Sequence, residues 1–335
     1  MPAYKSEDYA EAVGVIRAIE KRLLNAGALE RVLETPDAAD ALRLLTQIGE
    51  YDFGALDHAV DYEDVLKQEI KRVYERLRKL SPTPDVVEVL SLKYDYHNVK
   101  TALKAQYAAI DAAGMMCDMA GVSPRMIMEA VKTGDGKNLP KHLAEAIAQG
   151  IVAFEKTGEP GSIDLALDRL MYTETHRRAN RLGCALIIEF VRKTIDFYNL
   201  KTLLRIRAMR ADVHFLKNAL ADGGAIPTYF FEDAFPKSDD TLFSSFQYKY
   251  FSEEVKNALE DHVVSGHFSL LEKLSDDHLM ECLQKAKRIP FGPEPLFAYC
   301  YAKEIEIRQI RIILTGKFNK VPSESLRKRL RACYV

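Results

Sequence analysis

Apolar residues recur along this chain with the period of an amphipathic α-helix. Between residues 62 and 80 they follow one another in steps of four and three, at Leu66, Ile70, Val73 and Leu77. Such spacing places them on one stripe of a helix. Other patterned segments repeat this period, and none alternates as a half-buried strand does. The pattern therefore predicts an all-α fold.

Capping and breaking residues predict where several of these helices begin and end. Asp85 follows a proline-containing segment and is an expected N-cap of a long helix that runs to about residue 113. Ser123 before Pro124 predicts the start of a short helix, and Gly134 predicts its end. Ser162 is the expected cap of the helical stretch that follows the next turn.

The last third of the chain carries further boundary signals. Residues 275–277 predict a helix start, and Pro290 lies beyond the end of that helix. A second helix is expected over 296–315, with Gly316 as the residue that ends it. A short basic helix is expected over residues 323–332.

Three nine-residue segments, about a hundred residues apart, share one pattern. They read DYHNVKTAL at 95–103, DFYNLKTLL at 196–204 and EIRQIRIIL at 306–314. Their second, fifth and ninth residues are apolar and lie on one helix face, so we expect that face to be buried. The central residues predicted to pack in this way are Tyr96, Val99, Phe197, Leu200, Ile307 and Ile310.

Each segment also has an acid, an amide and a base at fixed positions. The amide lies three residues after the acid, on the same face, and is predicted to hydrogen-bond a neighbouring turn. The base lies about 140° around the helix from the acid, so it points towards solvent, a cavity or another repeat. The amides are Asn98, Asn199 and Gln309, and the bases are Lys100, Lys201 and Arg311.

The spacing of these segments predicts a triplicated helical unit. A period near one hundred residues is too long for tetratricopeptide, ankyrin or HEAT repeats. It predicts three helical bundles with approximate bounds 1–113, 114–211 and 212–316, packed as one body, and a basic C-terminal segment over 317–335.

The amino-acid composition of the chain limits the classes of protein to which it can belong. The chain has 335 residues, 47% of them hydrophobic, and a net charge of −2, which neither attracts nor repels nucleic acid. Its five cysteines are scattered, so we expect reduced thiols and neither a disulfide framework nor a zinc site. The amino terminus lacks the apolar core of a signal peptide, and no apolar run approaches the ~20 residues of a membrane span.

No segment predicts catalytic, cofactor or metal chemistry. Residues 134–137 resemble part of a phosphate-binding loop, but Val131 and Asn138 stand where that motif needs a glycine and a hydroxyl. The acidic pairs at 239–240 and 276–277 lack a third acid for a magnesium site and are better explained by helix capping. The histidines show no spacing that suits a metal site.

A basic cluster near the C-terminus has two interpretations. Arg327, Lys328, Arg329 and Arg331 favour the negative end of a helix dipole, which is a structural role. The same charges could also dock against an acidic or anionic surface. Without interleaved aromatic residues the cluster does not predict nucleic-acid binding.

The whole chain resembles the C subunit of bacterial and archaeal V-type (A-type) rotary ATPases, the counterpart of the vacuolar d subunit. The resemblance rests on the length, the triplicated unit, residues 94–103, 197–205 and 299–314, and the 290–292 loop before the last long helix. It implies a funnel-shaped, pseudo-threefold, non-catalytic subunit without cofactors. It also implies a place on the cytoplasmic face of the membrane, where the subunit would carry torque between a membrane rotor ring of proteolipid subunits and the central shaft.

On this resemblance, Lys100, Lys201 and Arg311 are expected to border a central recess that receives the shaft. Arg327, Lys328 and Arg329 are candidates for a second partner interface. An α-helical adaptor with unrelated protein partners is the alternative, and a helical enzyme of unrecognised type is a third possibility. The residues distinguish neither proton from sodium coupling nor ATP synthesis from ATP hydrolysis.

Overall fold

The structure is a computed structural model that describes residues 3–55, 58–249 and 251–335. Within these ranges the chain forms α-helices and short 3₁₀ helices and no β-strand, which confirms the predicted all-α fold. The α-helices are α1 Ala10–Ile19, α2 Ala26–Leu33, α3 Ala38–Ile48, α4 Tyr62–Leu80, α5 Asp85–Ala108, α6 Pro124–Thr133, α7 Lys141–Thr157, α8 Pro160–Leu182, α9 Ala185–Ala208, α10 Val213–Ala219, α11 Thr228–Ala234, α12 Asp239–Lys249, α13 Glu253–Ser265, α14 Ser269–Gln284, α15 Glu294–Phe318 and α16 Ser323–Arg327. The 3₁₀ helices are Ser6–Tyr9, Glu20–Arg22, Phe53–Ala55, Ala59–Asp61, Ala113–Met115 and Lys285–Arg288.

The described chain forms two compact units, with boundaries that fall inside α5 and α12. We call Glu88–Leu242 the middle unit. The terminal unit comprises the described residues of Pro2–Val87 and Phe243–Val335, so it joins an N-terminal and a C-terminal part of the chain. Two of the three repeated segments, on α5 and α9, belong to the middle unit, and the third, on α15, belongs to the terminal unit.

One hydrophobic core of the middle unit forms where α5 meets the helices that follow it. Buried apolar residues of α5, α6, α7 and α8 make one cluster. Gly150 in α7 allows a close approach there, since a Cβ atom at this position would lie 2.5 Å from Leu103 Cδ1. The cluster is Leu92, Tyr96, Val99, Ala102, Leu103, Ile127, Ala130, Val131, Leu139, Leu143, Ala146, Ile147, Ile163 and Leu167.

The core of the terminal unit is built around α15. This helix packs against α1, α2, α3, α4, α14 and α16. All residues from 295 to 307 are buried, so this part of α15 is enclosed on every side, and the helix as a whole shows little amphipathic pattern. Gly316, inside α15, lies against Leu326, whose Cδ2 would be 2.3 Å from a Cβ atom at that glycine. The glycine therefore serves close packing of α16 on α15.

Some predicted boundaries are confirmed and others are wrong. Helix α5 begins at Asp85, which is its first residue, but ends at Ala108, before the expected residue 113, because the chain turns at Ala109. Helix α6 begins after Ser123, and Gly134 with a φ of 68° follows its last residue, Thr133. Ser162 does not cap α8, because the helix already begins at Pro160. Its Oγ donates instead to the carbonyl of Glu159, 2.7 Å away.

The boundaries predicted near the C-terminus also differ from the structure. Helix α14 begins at Ser269, so residues 276 and 277 lie in its middle. Helix α15 continues through Gly316 to Phe318, because tight packing and not a chain reversal requires the glycine. Helix α16 spans only Ser323–Arg327, and residues 330–335 have no helical structure.

The three helices that carry the repeated segments end in the same way. After each helix one residue other than glycine adopts a left-handed conformation: Ala109 (φ 52°), Arg210 (φ 55°) and Lys320 (φ 55°). The next amide closes a six-residue ring on the helix, which is the Schellman arrangement. The bonds run from Ile110 N to Ala105 O (3.0 Å), from Ala211 N to Ile206 O (3.3 Å) and from Val321 N to Gly316 O (2.8 Å).

Candidate functional site

We call α5, α9 and α15 the signature helices, because they carry the repeated segments. Their predicted packing residues Tyr96, Val99, Phe197, Leu200, Ile307 and Ile310 are all buried. The amides Asn98, Asn199 and Gln309 are buried beside them. Each buried amide needs hydrogen-bond partners, and these define the site.

In the middle unit each amide binds one residue of the segment that follows its helix. Asn98 donates from Nδ2 to Cys117 O (2.9 Å) and accepts at Oδ1 from Cys117 N (2.7 Å). Asn199 binds Ala221 in the same way, at 2.8 Å to its carbonyl and 2.9 Å from its amide. The two asparagines therefore act as structural counterparts.

The acid of the same helix binds the segment a few residues further on. Asp95 Oδ1 accepts from Val122 N at 2.9 Å. Asp196 accepts from Ala225 N at 3.1 Å and from Ile226 N at 2.9 Å. We call the acid, the amide and the segment that they bind a polar clamp.

The third polar clamp, on α15, is completed by both ends of the chain. Gln309 Oε1 accepts from Arg331 N at 3.0 Å, and its Nε2 lies 3.9 Å from Cys333 Sγ. Glu306 Oε2 accepts from Leu24 N at 2.5 Å. Thus the C-terminal tail binds the amide, and a segment near the N-terminus binds the acid.

The helix after each clamp supports this equivalence. Helix α6 begins two residues after Val122, α11 begins two residues after Ile226, and α2 begins two residues after Leu24. In the third repeat the signature helix α15 lies near the C-terminus, whereas the helix after its clamp, α2, lies near the N-terminus. The elements of the third repeat therefore come from two distant parts of the chain.

The acids of the second and third clamps have different electrostatic surroundings. Burial raises the pKa of Asp196 to about 6, although the two backbone N–H bonds act in the opposite direction. Glu306 lies beside the ammonium of Lys303, at 2.7 Å. Lys303 is only 1% exposed and also lies 3.6 Å from Glu69 and 4.0 Å from Glu50. Three carboxylates therefore surround one buried cation.

Two of the three repeated bases pair with acids on other helices. Lys100 Nζ donates to Asp168 of α8 at 2.7 Å. Arg311 binds both carboxylate oxygens of Glu63 of α4, at 2.7 and 3.0 Å. Lys201 is likewise partly buried and makes a contact of its own. Their expected place at a recess stays a prediction.

The basic cluster at the C-terminus divides into two parts. Arg327 donates to Glu30 at 2.5 and 3.0 Å and contacts Glu34, so it fastens α16 to α2. Lys328 and Arg329 have exposed side chains. Their expected contact with a partner stays a prediction.

Helix α14 supplies anchors that the sequence reasoning missed. Asp276, expected to cap a helix, contacts Arg308 and accepts from Arg331 Nε at 3.1 Å. Asp277 accepts from Ala332 N at 2.6 Å. Both acids therefore bind the terminal unit's own helix and tail. Only their position one helix before α15 could have pointed to this role.

The sequence analysis also did not predict the role of two further basic residues. Arg207 of α9 donates to the carbonyls of Phe235 and Lys237, just beyond α11. Lys317 of α15 donates to the carbonyls of Leu33 and Thr35, at the end of α2. They lie at matching positions after Lys201 and Arg311, which is a signal that the sequence offered.

The described residues contain no group of three or more His, Cys, Asp or Glu side chains that could hold a metal ion. No helix in the described ranges has the length and apolar character needed to cross a membrane. The clamps are hydrogen bonds that hold each signature helix to other segments of the chain.

Comparison with known proteins gives consistent matches along the chain. The sequence profile of the family described as ATP synthase (C/AC39) subunit matches residues 12–329. The chain is 27% identical over 334 residues to the C subunit of the V-type sodium ATPase of Enterococcus hirae, covering 98% of this chain and 99% of the relative. It is 22% identical over 346 residues to the C subunit of the A-type ATP synthase of Methanocaldococcus jannaschii, covering 96% and 86%. It is 24% identical over 344 residues to the corresponding A-type ATP synthase protein of Desulfurococcus sp. (strain SY), covering 97% and 91%.

Proposed function

Because the chain belongs to the ATP synthase (C/AC39) subunit family, we propose that it is a non-catalytic central-stalk subunit of a V/A-type ATPase. It connects the membrane rotor ring to the central shaft and turns with both. Ion transport and ATP chemistry take place in other subunits. The protein lies on the cytoplasmic face of the membrane and is attached there through the complex.

The triplicated polar clamp is the observation that carries this proposal. A torque-transmitting part must resist twisting of its helices against the segments that join them. Each signature helix is buried and is tied by two side chains to the segments that complete its clamp. Packed protein interiors have low compressibility, so a body fastened in this way transmits force without large internal rearrangement.

The ion pairs of the repeated bases add to this support. Lys100 and Arg311 each join a signature helix to a helix remote in sequence. Their side chains remain 20% and 43% exposed, so they also face solvent. We include in the proposal that three pseudo-threefold bundles form a funnel whose recess these bases and Lys201 border.

Reconstitution of the rotary complex tests the function. Complexes assembled with and without this chain are placed in sealed vesicles, and ATP hydrolysis and ion uptake are measured together. We expect the chain to co-purify with ring and shaft subunits. Its omission should abolish ATP-driven ion uptake, while the detached catalytic part still hydrolyses ATP.

Two outcomes would contradict the proposal. Coupled ion uptake at the normal rate without the chain would exclude a role in torque transmission. Capture of unrelated proteins, with no ring or shaft subunit bound, would favour the adaptor alternative.

A further inference from the structure

The helix that follows each clamp ends near the C-terminal part of its signature helix. In the second and third repeats a basic side chain from the signature helix covers this end. Arg207 Nη1 lies 2.9 Å from Phe235 O and 2.8 Å from Lys237 O. Lys317 Nζ lies 2.9 Å from Leu33 O and 2.5 Å from Thr35 O. The last carbonyls of a helix lack internal donors and carry partial negative charge, so a cation suits this place.

The first repeat has no base at this position. Gln106 lies as far after Lys100 as Arg207 lies after Lys201 and Lys317 after Arg311. Its side chain is exposed and donates no hydrogen bond within the described ranges. The end of α6 is therefore not covered from α5.

The counterpart carbonyls in the first repeat belong to Val131 and Thr133. Val131 lies as far from the start of α6 as Leu33 lies from the start of α2 and Phe235 from the start of α11. Helix α6 ends at Thr133, and Gly134 follows it. The N–H group of Gly134 makes no hydrogen bond to a backbone carbonyl of the last turn within the described chain.

A cavity of about 390 Å³ lies between α5 and α6, within the middle unit, and it extends along α6 from Arg125 to Val131 and Lys132 in the last turn. Its walls are mostly aliphatic, and Ile110 at its edge is 53% exposed. The lining is Ala102, Ala105, Gln106, Ile110, Asp111, Ala112, Arg125, Met128, Glu129, Val131 and Lys132. Two acids balance two bases, so the orphan carbonyl end of α6, and not net charge, favours a cation here.

We propose that this α5–α6 cavity binds an arginine or lysine side chain presented by a neighbouring protein subunit. The bound cation takes the place that Arg207 and Lys317 occupy in the other two repeats. Its aliphatic stem contacts Ala102, Ala105 and Met128, and its charged group donates to the carbonyls at the end of α6. That the neighbour belongs to a rotary ATPase rests on the proposed function.

The substitution Gln106→Arg tests the proposal by supplying the missing base from within the chain. The new guanidinium should donate to the carbonyls at the end of α6, as Arg207 does to those just beyond α11, so the thermal midpoint of the isolated protein should stay constant or rise. Binding to purified subcomplexes of ring and shaft subunits should weaken at least fivefold in a titration. Gln68→Arg, an exposed position on α4, introduces the same charge in the terminal unit and should bind as the wild type does.

The outcomes separate this inference from the proposed function. If the wild type binds neither ring nor shaft subunits, the proposed function fails. If the wild type and Gln106→Arg bind equally well, only the cavity proposal fails. A fall in the thermal midpoint for Gln106→Arg would also overturn it, because the arginine would then not be accommodated.

A photo-crosslinker at position 106 provides a second measurement that does not depend on affinity. In the assembled complex, p-benzoylphenylalanine at this site should cross-link to a neighbouring subunit within a few residues of an arginine or lysine, as identified by mass spectrometry. Cross-linking to lipid alone, to a second copy of this chain, or to a segment without a basic residue would overturn the proposal. The same crosslinker at position 68 serves as the control.

Discussion

Asp196 and Glu306 occupy the same position in their signature helices, yet their surroundings differ. Asp196 binds two backbone amides of a segment that follows closely in the chain. Glu306 binds a backbone amide of Leu24, the hydroxyl of Tyr51 and the ammonium of Lys303. The middle unit thus uses a carboxylate with neutral partners, whereas the terminal unit uses a charged cluster.

The number of residues between the two sides of each clamp gives a reason why the acids have different partners. Asp196 and Ile226 are 30 residues apart, and Glu306 and Leu24 are 282 residues apart. By the scaling of loop-closure entropy, the longer separation costs about 2 kcal/mol more. Hydrogen bonds between charged groups are roughly twice as strong as neutral ones, so the cluster around Glu306 offsets a cost of this size.

Removal of the cation from the terminal cluster should have the largest effect. Lys303→Met retains an unbranched side chain of similar length but leaves Glu306, Glu69 and Glu50 without their buried cation. We expect a loss of about 3–5 kcal/mol in the free energy of unfolding, since breaking a buried pair leaves uncompensated charge. Urea unfolding followed by circular dichroism measures this change.

Lys193→Met is the matched control for that substitution. Lys193 pairs with Glu189 one turn earlier on α9, and both side chains are 39% exposed. Its removal should change stability by less than about 0.5 kcal/mol. Similar losses in the two variants would show that the cluster does not fasten the terminal unit.

The second clamp should respond to pH through Asp196. Its pKa is about 6 in the folded protein and 3.8 in the unfolded chain, so the folded state binds the proton more tightly. The resulting stabilisation is fully present below about pH 3.8 and is lost as the pH rises through about 6. Relative to Asp196→Asn, the wild type should therefore lose about 2–3 kcal/mol between pH 4 and pH 7.

Urea midpoints of both proteins across this pH range measure the effect, and the difference between them removes the contribution of other groups. Asp233→Asn, an exposed position on α11, should follow the wild type at every pH. An Asp196→Asn variant whose stability runs parallel to that of the wild type would contradict the assigned pKa.

Substitutions at the ends of the signature helices should have the smallest effect on the free energy of unfolding, and this effect should be the same in both units. Ala109, Arg210 and Lys320 have left-handed backbone conformations that favour glycine. Each single replacement by glycine should raise the free energy of unfolding by about 0.5–1 kcal/mol, because the side-chain strain disappears. Ala108→Gly, one residue earlier in α5, should instead lower it by about 1 kcal/mol. Destabilisation by all three cap replacements would show that left-handed strain is absent from these helix ends.

The helical period and the repeated segments predicted much of the fold. Apolar spacing is a local property, so the all-α class and the buried residues Tyr96, Leu200 and Ile310 followed from it. Predictions of helix boundaries were wrong where packing against another helix determines the boundary. Gly316 is an example, because its neighbour Leu326 lies on the next helix.

The partners of the buried polar residues could not be predicted in the same way. The spacing of Asp196 and Asn199 places them on one face of α9 but does not say which segment that face meets. Lys303 gives no sign in the sequence that it lies among three carboxylates. One of these, Glu50, comes from a segment far away in the chain.

Local sequence patterns are sufficient to predict the helices, their buried stripes and the repeated segments, because these depend on residues within a few turns of one another. Two features depend on packing between distant helices: segments near both ends of the chain complete the third clamp, and Gln106 leaves open a place that Arg207 and Lys317 fill in the other repeats. These contacts join residues remote in sequence. The packing of whole helices sets which of them meet, and no local periodicity encodes it.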